Sequence, residues 1–367
     1  MDLLYFHIMT SRERILTSLS HQRPDRTPAA LVGADLIAPD RRQIGSDEAN
    51  ERLGADLRFV RVEPTAAGKD FDDYLRSLPA EVFVGNLDQL RRYHAWNYRP
   101  ERSRQNPVAS SPLRNVATIA DLEDFTFPDF GGEAAFAHLR AKVADYHRRG
   151  LAVFAIPPRL GGTLFEAAWR LRGFEEYLCE LAQGHEVSLW LLDRLADLAC
   201  HYAALIAAAD ADVLFIGDDV GEPVRLMISP DLWRQTIAPR MRRIIDAARN
   251  VKPAIRVCYH SDGHFTGLLE HLVEIGVDAI EPVQPDAMDP LAIKERFADR
   301  LTLFGCVGTA CLWHHAGTEQ VRAEVRRMNE LLSHNGGLIL APAYDLMPCT
   351  PWASVEAFFD EVQRTRK

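Results

Sequence analysis

From about residue 150 onward, short apolar runs recur with a spacing that few folds can accommodate. They occupy residues 151–156, 212–216, 254–259, 277–280, 301–304 and 338–340. None alternates strictly between apolar and polar side chains, which is the pattern of a strand covered on both faces. Between the runs lie stretches with an apolar residue every three or four positions, the period of a helix packed on one side. These are 229–250, with Ser229 as N-cap and Pro230 in the first helical position, then 265–275, 291–298, 319–333 and 352–364. Strands alternating with helices predict a parallel sheet. Two earlier runs, 29–32 and 57–62, bring the count to eight, the number that closes a (β/α)8 TIM barrel. An open doubly wound sheet is the rival arrangement. No GxGxxG follows any of the runs, so a dinucleotide site is not indicated.

In this reading the 367 residues form one domain, with 63–150 as a long insertion after the second strand. The insertion carries Phe71, Tyr74, Phe83, Tyr93, Trp96 and Tyr98, enough aromatic surface for a lid or one wall of a cleft. Near the start, Thr10-Ser11-Arg12-Glu13 is a capping box opening a helix with Ile15, Leu16 and Leu19 on one stripe, stopped before Pro24.

Charge and cysteine usage narrow the partners. A net charge of −10 repels phosphate backbones, so nucleic acid is excluded as a partner. No apolar stretch reaches the roughly 20 residues that span a bilayer, and residues 1–8 lack the features of a signal peptide. A cytoplasmic protein is expected. The six cysteines (Cys179, Cys200, Cys258, Cys306, Cys311 and Cys349) form no CxxC pair. They are expected to be reduced and mostly structural, with Cys179, Cys200 and Cys258 in buried helix or strand.

Parallel barrels assemble their active sites where the strands end. The runs are followed by Arg159, by Asp218-Asp219, by His260-Ser261-Asp262, by Glu281-Pro282-Val283-Gln284, by Cys306 and by Tyr344-Asp345. Asp218 and Asp219 are adjacent on an extended exit, so one of them should face the centre and the other can cap a turn. Crowded carboxylates there would raise one pKa or jointly hold a cation. His260 and Asp262 stand at i and i+2, suiting a base oriented by its carboxylate or two ligands of one metal. The candidate metal set is His260, Asp262, Asp219 and Cys306, although Cys306 fits a small buried hydrophobe as well. Arg159 is placed to bind a substrate carboxylate, and Tyr344 to donate to an oxyanion. Trp169, Glu281, Gln284 and Asp345 complete the expected substrate-binding wall, with Glu166 beside Trp169. His264 is expected to be structural, and His314 and His315 to be solvated.

Four stretches in family order resemble the uroporphyrinogen decarboxylase superfamily, which includes zinc methyltransferases that methylate coenzyme M from corrinoid proteins. They are TSRERILTSLSHQRPDRTP at 10–28, GDDVGEPVRLMISPDLWRQTIAPRMRRII at 217–245, YHSDGHFTGLLEHLVEIGVDAIEPVQPDAMDP at 259–290 and GGLILAPAYDLMPCTP at 336–351. The resemblance implies a (β/α)8 barrel and is compatible with a homodimer. Authentic decarboxylases carry Arg-Gln-Ala-Gly-Arg after the first strand. Here that region is Leu31-Val32-Gly33-Ala34-Asp35-Leu36, and the family's late histidine falls near Tyr344, which argues against uroporphyrinogen as substrate. The methyltransferase branch holds zinc with His-x-Cys and a later Cys. This chain keeps His260, with Asp262 and Tyr344 where the cysteines would stand, which argues against coenzyme M methylation.

The leading expectation is acid/base chemistry on a small carboxylated substrate, a decarboxylation or related carbon–carbon lyase reaction. His260 oriented by Asp262 would move the proton, and Asp218 or Asp219 would stabilise positive charge. The alternative is methyl transfer between a methylated small molecule and a corrinoid or tetrahydrofolate carrier, with a divalent metal, zinc or another, at His260 and Asp262. A third is a barrel that only binds a ligand.

Overall fold

The computed structural model describes residues 8–62, 69–77, 87–98, 111–130, 132–308, 310–315 and 317–365. The N-terminal extension through residue 7, Phe83, and the side chains of Tyr74, Cys311 and His314 lie outside the described residues.

Seven parallel strands form one curved sheet in sequence order: β1 (Leu57–Arg61), β2 (Ala152–Ile156), β3 (Val213–Gly217), β4 (Arg256–His260), β5 (Ala279–Val283), β6 (Thr302–Val307) and β7 (Leu338–Pro342). The circle is completed by the segment at Ala29. Ala30 N–H donates to Leu340 O at 3.1 Å and Leu340 N–H to Pro28 O at 2.9 Å, while Asp56 N–H donates to Ala29 O at 2.9 Å on the other side. This eighth position makes a single parallel bridge rather than the ladder expected for 29–32. With helices around the strands, the architecture is a TIM-barrel-like α/β fold.

The interior fills with aromatic rings because the inward positions of neighbouring strands come into register. Phe59 lies opposite Phe154. Edge contacts join Phe59 to Phe154 (5.7 Å), Phe59 to Phe215 (5.4 Å) and Phe154 to Phe304 (5.9 Å). Burying each ring contributes about 1.5–3 kcal/mol. The layer also floors the mouth, since His260 sits 5.8 Å from Phe215.

Several helices follow from their caps. Thr10 and Glu13 form the expected capping box of Ser11–Leu19, and Ser229 caps Pro230–Thr236. The single helix expected over 229–250 divides at Ile237, and a second helix runs Ala238–Val251. Pro239 near its start lacks the N–H that would continue the first helix. The last part of the expected insertion is not insertion at all: Gly132–Arg148 is the connecting helix packed on β1 and β2. Ahead of it, Tyr93 and Tyr98 close on Arg170, with its Cζ 5.3 and 5.6 Å from their ring centres. That contact makes a wall beside the loop after β2. No cysteine among those described is bridged, and Cys179 is exposed rather than buried. No described helix is long and apolar enough to cross a membrane.

Candidate functional site

The mouth is organised by strand register at the end of β4. His260 lies opposite Gly217 of β3 and Glu281 of β5. Gly217 has φ +149, and a Cβ there would come 2.1 Å from the His260 carbonyl oxygen, so only glycine allows this approach. On the other side Glu281, 2% exposed, accepts from His260 Nδ1 at 2.6 Å. That bond sets the ring orientation and leaves Nε2 facing Asp219 Oδ1 at 3.5 Å. Burial disfavours charge on His260, but the carboxylates of Glu281 and Asp219 more than offset it and hold the imidazolium well above the ordinary histidine range.

The two aspartates after β3 diverge, as adjacent residues on an extended chain must. Asp219 turns to the mouth and also accepts the Asp262 N–H at 2.9 Å. Burial pushes its carboxyl up, yet the bond and charge of His260, that N–H and the charge of Arg159 bring it to about 2. Asp218 turns inward and is fully buried. Its Oδ1 accepts from the backbone N–H of Leu164 (2.8 Å) and Glu166 (3.0 Å). It therefore satisfies donors at the start of Phe165–Arg172, whose own N-cap Leu164 offers no side-chain bond. Burial pushes the Asp218 carboxyl up to about 7, against those N–H groups. Of the two aspartates offered for charge stabilisation, Asp218 takes the capping position behind the site and Asp219 the one at the mouth.

Asp262 stands exposed at the rim. Loss of hydration in the concave mouth pushes its carboxyl up to about 6, opposed by His260 and reinforced by Asp219, Glu281 and Asp345. It does not orient His260. β4 ends at His260, so the two-residue alternation expected to align them stops there, and Asp262 Oδ1 instead accepts from Gln284 Nε2 at 2.9 Å. The orienting carboxylate is Glu281, which lies inside β5 rather than beyond it. The sequence gives the two strands without their register, so this pairing could not be read from it.

Several expected wall residues take other partners. Gln284 is 7% exposed and bonds Asp262 and Gly263. Tyr344 donates to Asp286 Oδ2 at 2.8 Å, and burial followed by that carboxylate raises its phenol well above the usual range. Trp169 packs against Phe174, with Arg170 stacked 4.7 Å from its ring centre, outside the cluster. Glu166 pairs with Arg170 at 2.5 Å. Asp345 lies over Gly33, where an added Cβ would overlap its carboxylate. His264 bonds Ala287 O at 2.7 Å, a structural role as expected. Arg159 has its Cζ 5.8 Å from the Phe215 ring centre, and its buried Nη1 has no hydrogen-bond partner among the described residues.

Asp219, His260 and Asp262 each offer a ligand atom, and these atoms lie within 4.8 Å of one another. Cys306 does not join them. It is fully buried within β6, where burial drives its thiol far up. The donors are one imidazole nitrogen and carboxylate oxygens, a set that fits a hard or borderline divalent cation and lacks the thiolates of a soft zinc site. Glu281 behind Nδ1 is the outer carboxylate that metal-bound histidines usually have.

Residues 100–365 match the family model for uroporphyrinogen decarboxylase (URO-D). The chain belongs to the uroporphyrinogen decarboxylase family. Among curated relatives, this URO-D-family chain is 26% identical over 167 residues to methylcobamide:CoM methyltransferase MtaA of Methanosarcina barkeri, covering 45% of each. It is 25% identical over 167 residues to the same enzyme from strain Fusaro / DSM 804. The match thus spans less than half the length of either relative. In three dimensions it superposes on a methyltransferase from Methanosarcina mazei with a TM-score of 0.64 and 18% identity, covering 97% of this chain and 99% of the other. At that identity the superposition establishes the fold.

Proposed function

We propose that this URO-D-family protein is a metal-dependent methyltransferase that moves a methyl group between the oxygen of a small molecule and a corrinoid or tetrahydrofolate carrier. The observation that carries the reading is the convergence of Asp219, His260 and Asp262 ligand atoms within 4.8 Å at the barrel mouth. The curated relatives named for methyl transfer support the reaction class. The replacement of both thiolate positions by Asp262 and Tyr344 favours an oxygen over a thiol as the methylated atom.

Asp219, His260 and Asp262 would hold the divalent cation, which would supply Lewis acidity at the substrate oxygen. Glu281 holds the imidazole so that Nε2 faces inward. Phe215 and the aromatic layer beneath it keep water from the floor of the site. In the demethylating direction the C–O bond would break with its electron pair on oxygen, which takes up a proton from solvent or from the carrier nitrogen, while the new bond to carbon would form from the carrier's lone pair. Asp262, the exposed donor of the three, would be the one nearest an incoming carrier.

Decarboxylation remains a second reading because of Arg159. Its Nη1, without a hydrogen-bond partner among the described residues, suits a substrate carboxylate, and the imidazolium of His260 suits delivery of a proton to a developing carbanion. Methyl transfer leads because three ligand atoms converge at the mouth and the curated relatives are named for it; cation binding there would displace the Nε2 proton that now faces Asp219.

The test combines elemental analysis of the purified protein and of His260→Ala with two assays. One follows methylcobalamin formed from cob(I)alamin and a panel of methoxylated compounds; the other follows carbon dioxide released from a panel of carboxylic acids. One metal per chain, lost in the variant together with methylcobalamin formation, is expected. Carbon dioxide release by metal-free protein would overturn the reading in favour of the second. Ligand binding without either turnover would leave a binding barrel.

A further inference from the structure

We propose that Gln284 is the positioning residue of the cation site, fixing which oxygen of Asp262 turns toward Asp219 and His260. The inference rests on the metal-dependent reading above. Asp262 is the outermost of the three donors and the one that is exposed. His260 attracts its charge while Asp219, Glu281 and Asp345 repel it, so charge alone does not fix which oxygen faces inward.

Gln284 fixes the choice with two bonds. Its Nε2 donates to Asp262 Oδ1 at 2.9 Å, and its Oε1 accepts the Gly263 N–H at 2.7 Å. Together the bonds define the amide's orientation. A flip would set the NH2 group against an N–H and the amide oxygen against a carboxylate, replacing two attractions with two repulsions. The turn that brings Gly263 to the amide requires glycine. Its φ is +77, and a Cβ there would lie 2.7 Å from the Glu222 carbonyl oxygen.

With Oδ1 engaged, Oδ2 is the oxygen of Asp262 that has no hydrogen bond to the described residues. Gln284 directly follows β5, and the same strand carries Glu281. One strand therefore orients two donors, Glu281 acting on the imidazole and Gln284 on the rim carboxylate. Gln284 acts through Asp262 and touches neither cation nor substrate.

Titration calorimetry of the full chain with manganese(II) chloride tests this in wild type, Gln284→Met, Asp262→Asn and the double variant. Gln284→Leu serves as a second replacement should the first unfold, with circular dichroism as the check. Gln284→Met is expected to weaken manganese affinity about 10–100-fold, as loss of an outer-shell partner does. In the Asp262→Asn background the same change is expected to add less than about 3-fold, because the amide's target is gone. Unchanged affinity in Gln284→Met, or an equal loss in both backgrounds, would overturn the inference and leave the cation site standing. Wild-type protein that binds no manganese would bring down the metal-dependent reading itself, and this inference with it.

Discussion

The two ends of the barrel treat charge in opposite ways. At the amino-terminal end Asp56, Asp212 and Asp278 immediately precede β1, β3 and β5, and each is saturated. Asp56 accepts from Arg14, from Arg26 and from the Ala29 N–H; Asp212 from Arg12, His147 and the Val153 N–H; Asp278 from Arg249, Arg256 and the Val257 N–H. At the carboxyl-terminal end Asp218 Oδ2 and Arg159 Nη1 are buried without hydrogen-bond partners among the described residues, and His260 stands 3.5 Å from Asp219. The lower end uses its carboxylates to join strands. All three lower carboxylates have both oxygens engaged, whereas Asp218 at the upper end keeps one unengaged beside the donor cluster.

Substitutions at the two ends should therefore separate stability from function. The largest effect belongs to Asp56→Ala, which strands the buried Arg26 guanidinium and leaves Arg14 with Asp25 as its carboxylate. Urea unfolding should show a loss of about 3–5 kcal/mol, with cation affinity unchanged in the protein that remains folded. A stability cost below 1 kcal/mol there would erase the contrast. Glu281→Gln sharpens it from the other side. Removing the carboxylate behind His260 should weaken divalent-cation affinity about 10–100-fold, measured by calorimetry.

Asp262→Asn should act on stability with the opposite sign. An aspartate unfolded titrates near 4, whereas this carboxyl is at about 6 when folded, so its ionisation opposes folding. The cost is absent below about pH 4 and fully present above about pH 7. In chelator-treated protein the variant should be more stable than wild type at pH 8 and equal to it at pH 4. Discounted for solvent screening at an exposed group, the difference is about 1 kcal/mol or less. Destabilisation at pH 8 would contradict the crowding of charge at the mouth. The smallest effect is that of Tyr344→Phe, which removes one bond to Asp286. Its expected stability cost is about 1 kcal/mol in thermal unfolding, and a larger loss would show that this bond supports the mouth as a whole.

Most of the architecture was legible because a strand covered on both faces must be apolar throughout. That condition marks β2 to β4 to within two residues. It fails at β5 and β6, which continue through Glu281-Pro282-Val283 and Gly305-Cys306-Val307. Backbone pairing does not stop at a polar side chain such as Glu281, nor at a glycine such as Gly305. Asp219 and His260 were found at the mouth because strand ends fix height along the barrel. Glu281 was placed there too, but not as the partner of His260, because azimuth depends on register. Glu281 faces His260 across a β4–β5 pairing that neither segment encodes alone. The capping position of Asp218 depends on a helix start more than 50 residues earlier in the chain.

The central claim is that Asp219, His260 and Asp262 together hold a divalent cation. Anomalous diffraction from crystals grown with manganese tests it most directly. A single strong peak bonded to His260 Nε2 and to carboxylate oxygens of Asp219 and Asp262, with Glu281 still on Nδ1, is the predicted result. Manganese bound elsewhere, or an imidazole still paired with Asp219 and no peak beside it, would contradict the account.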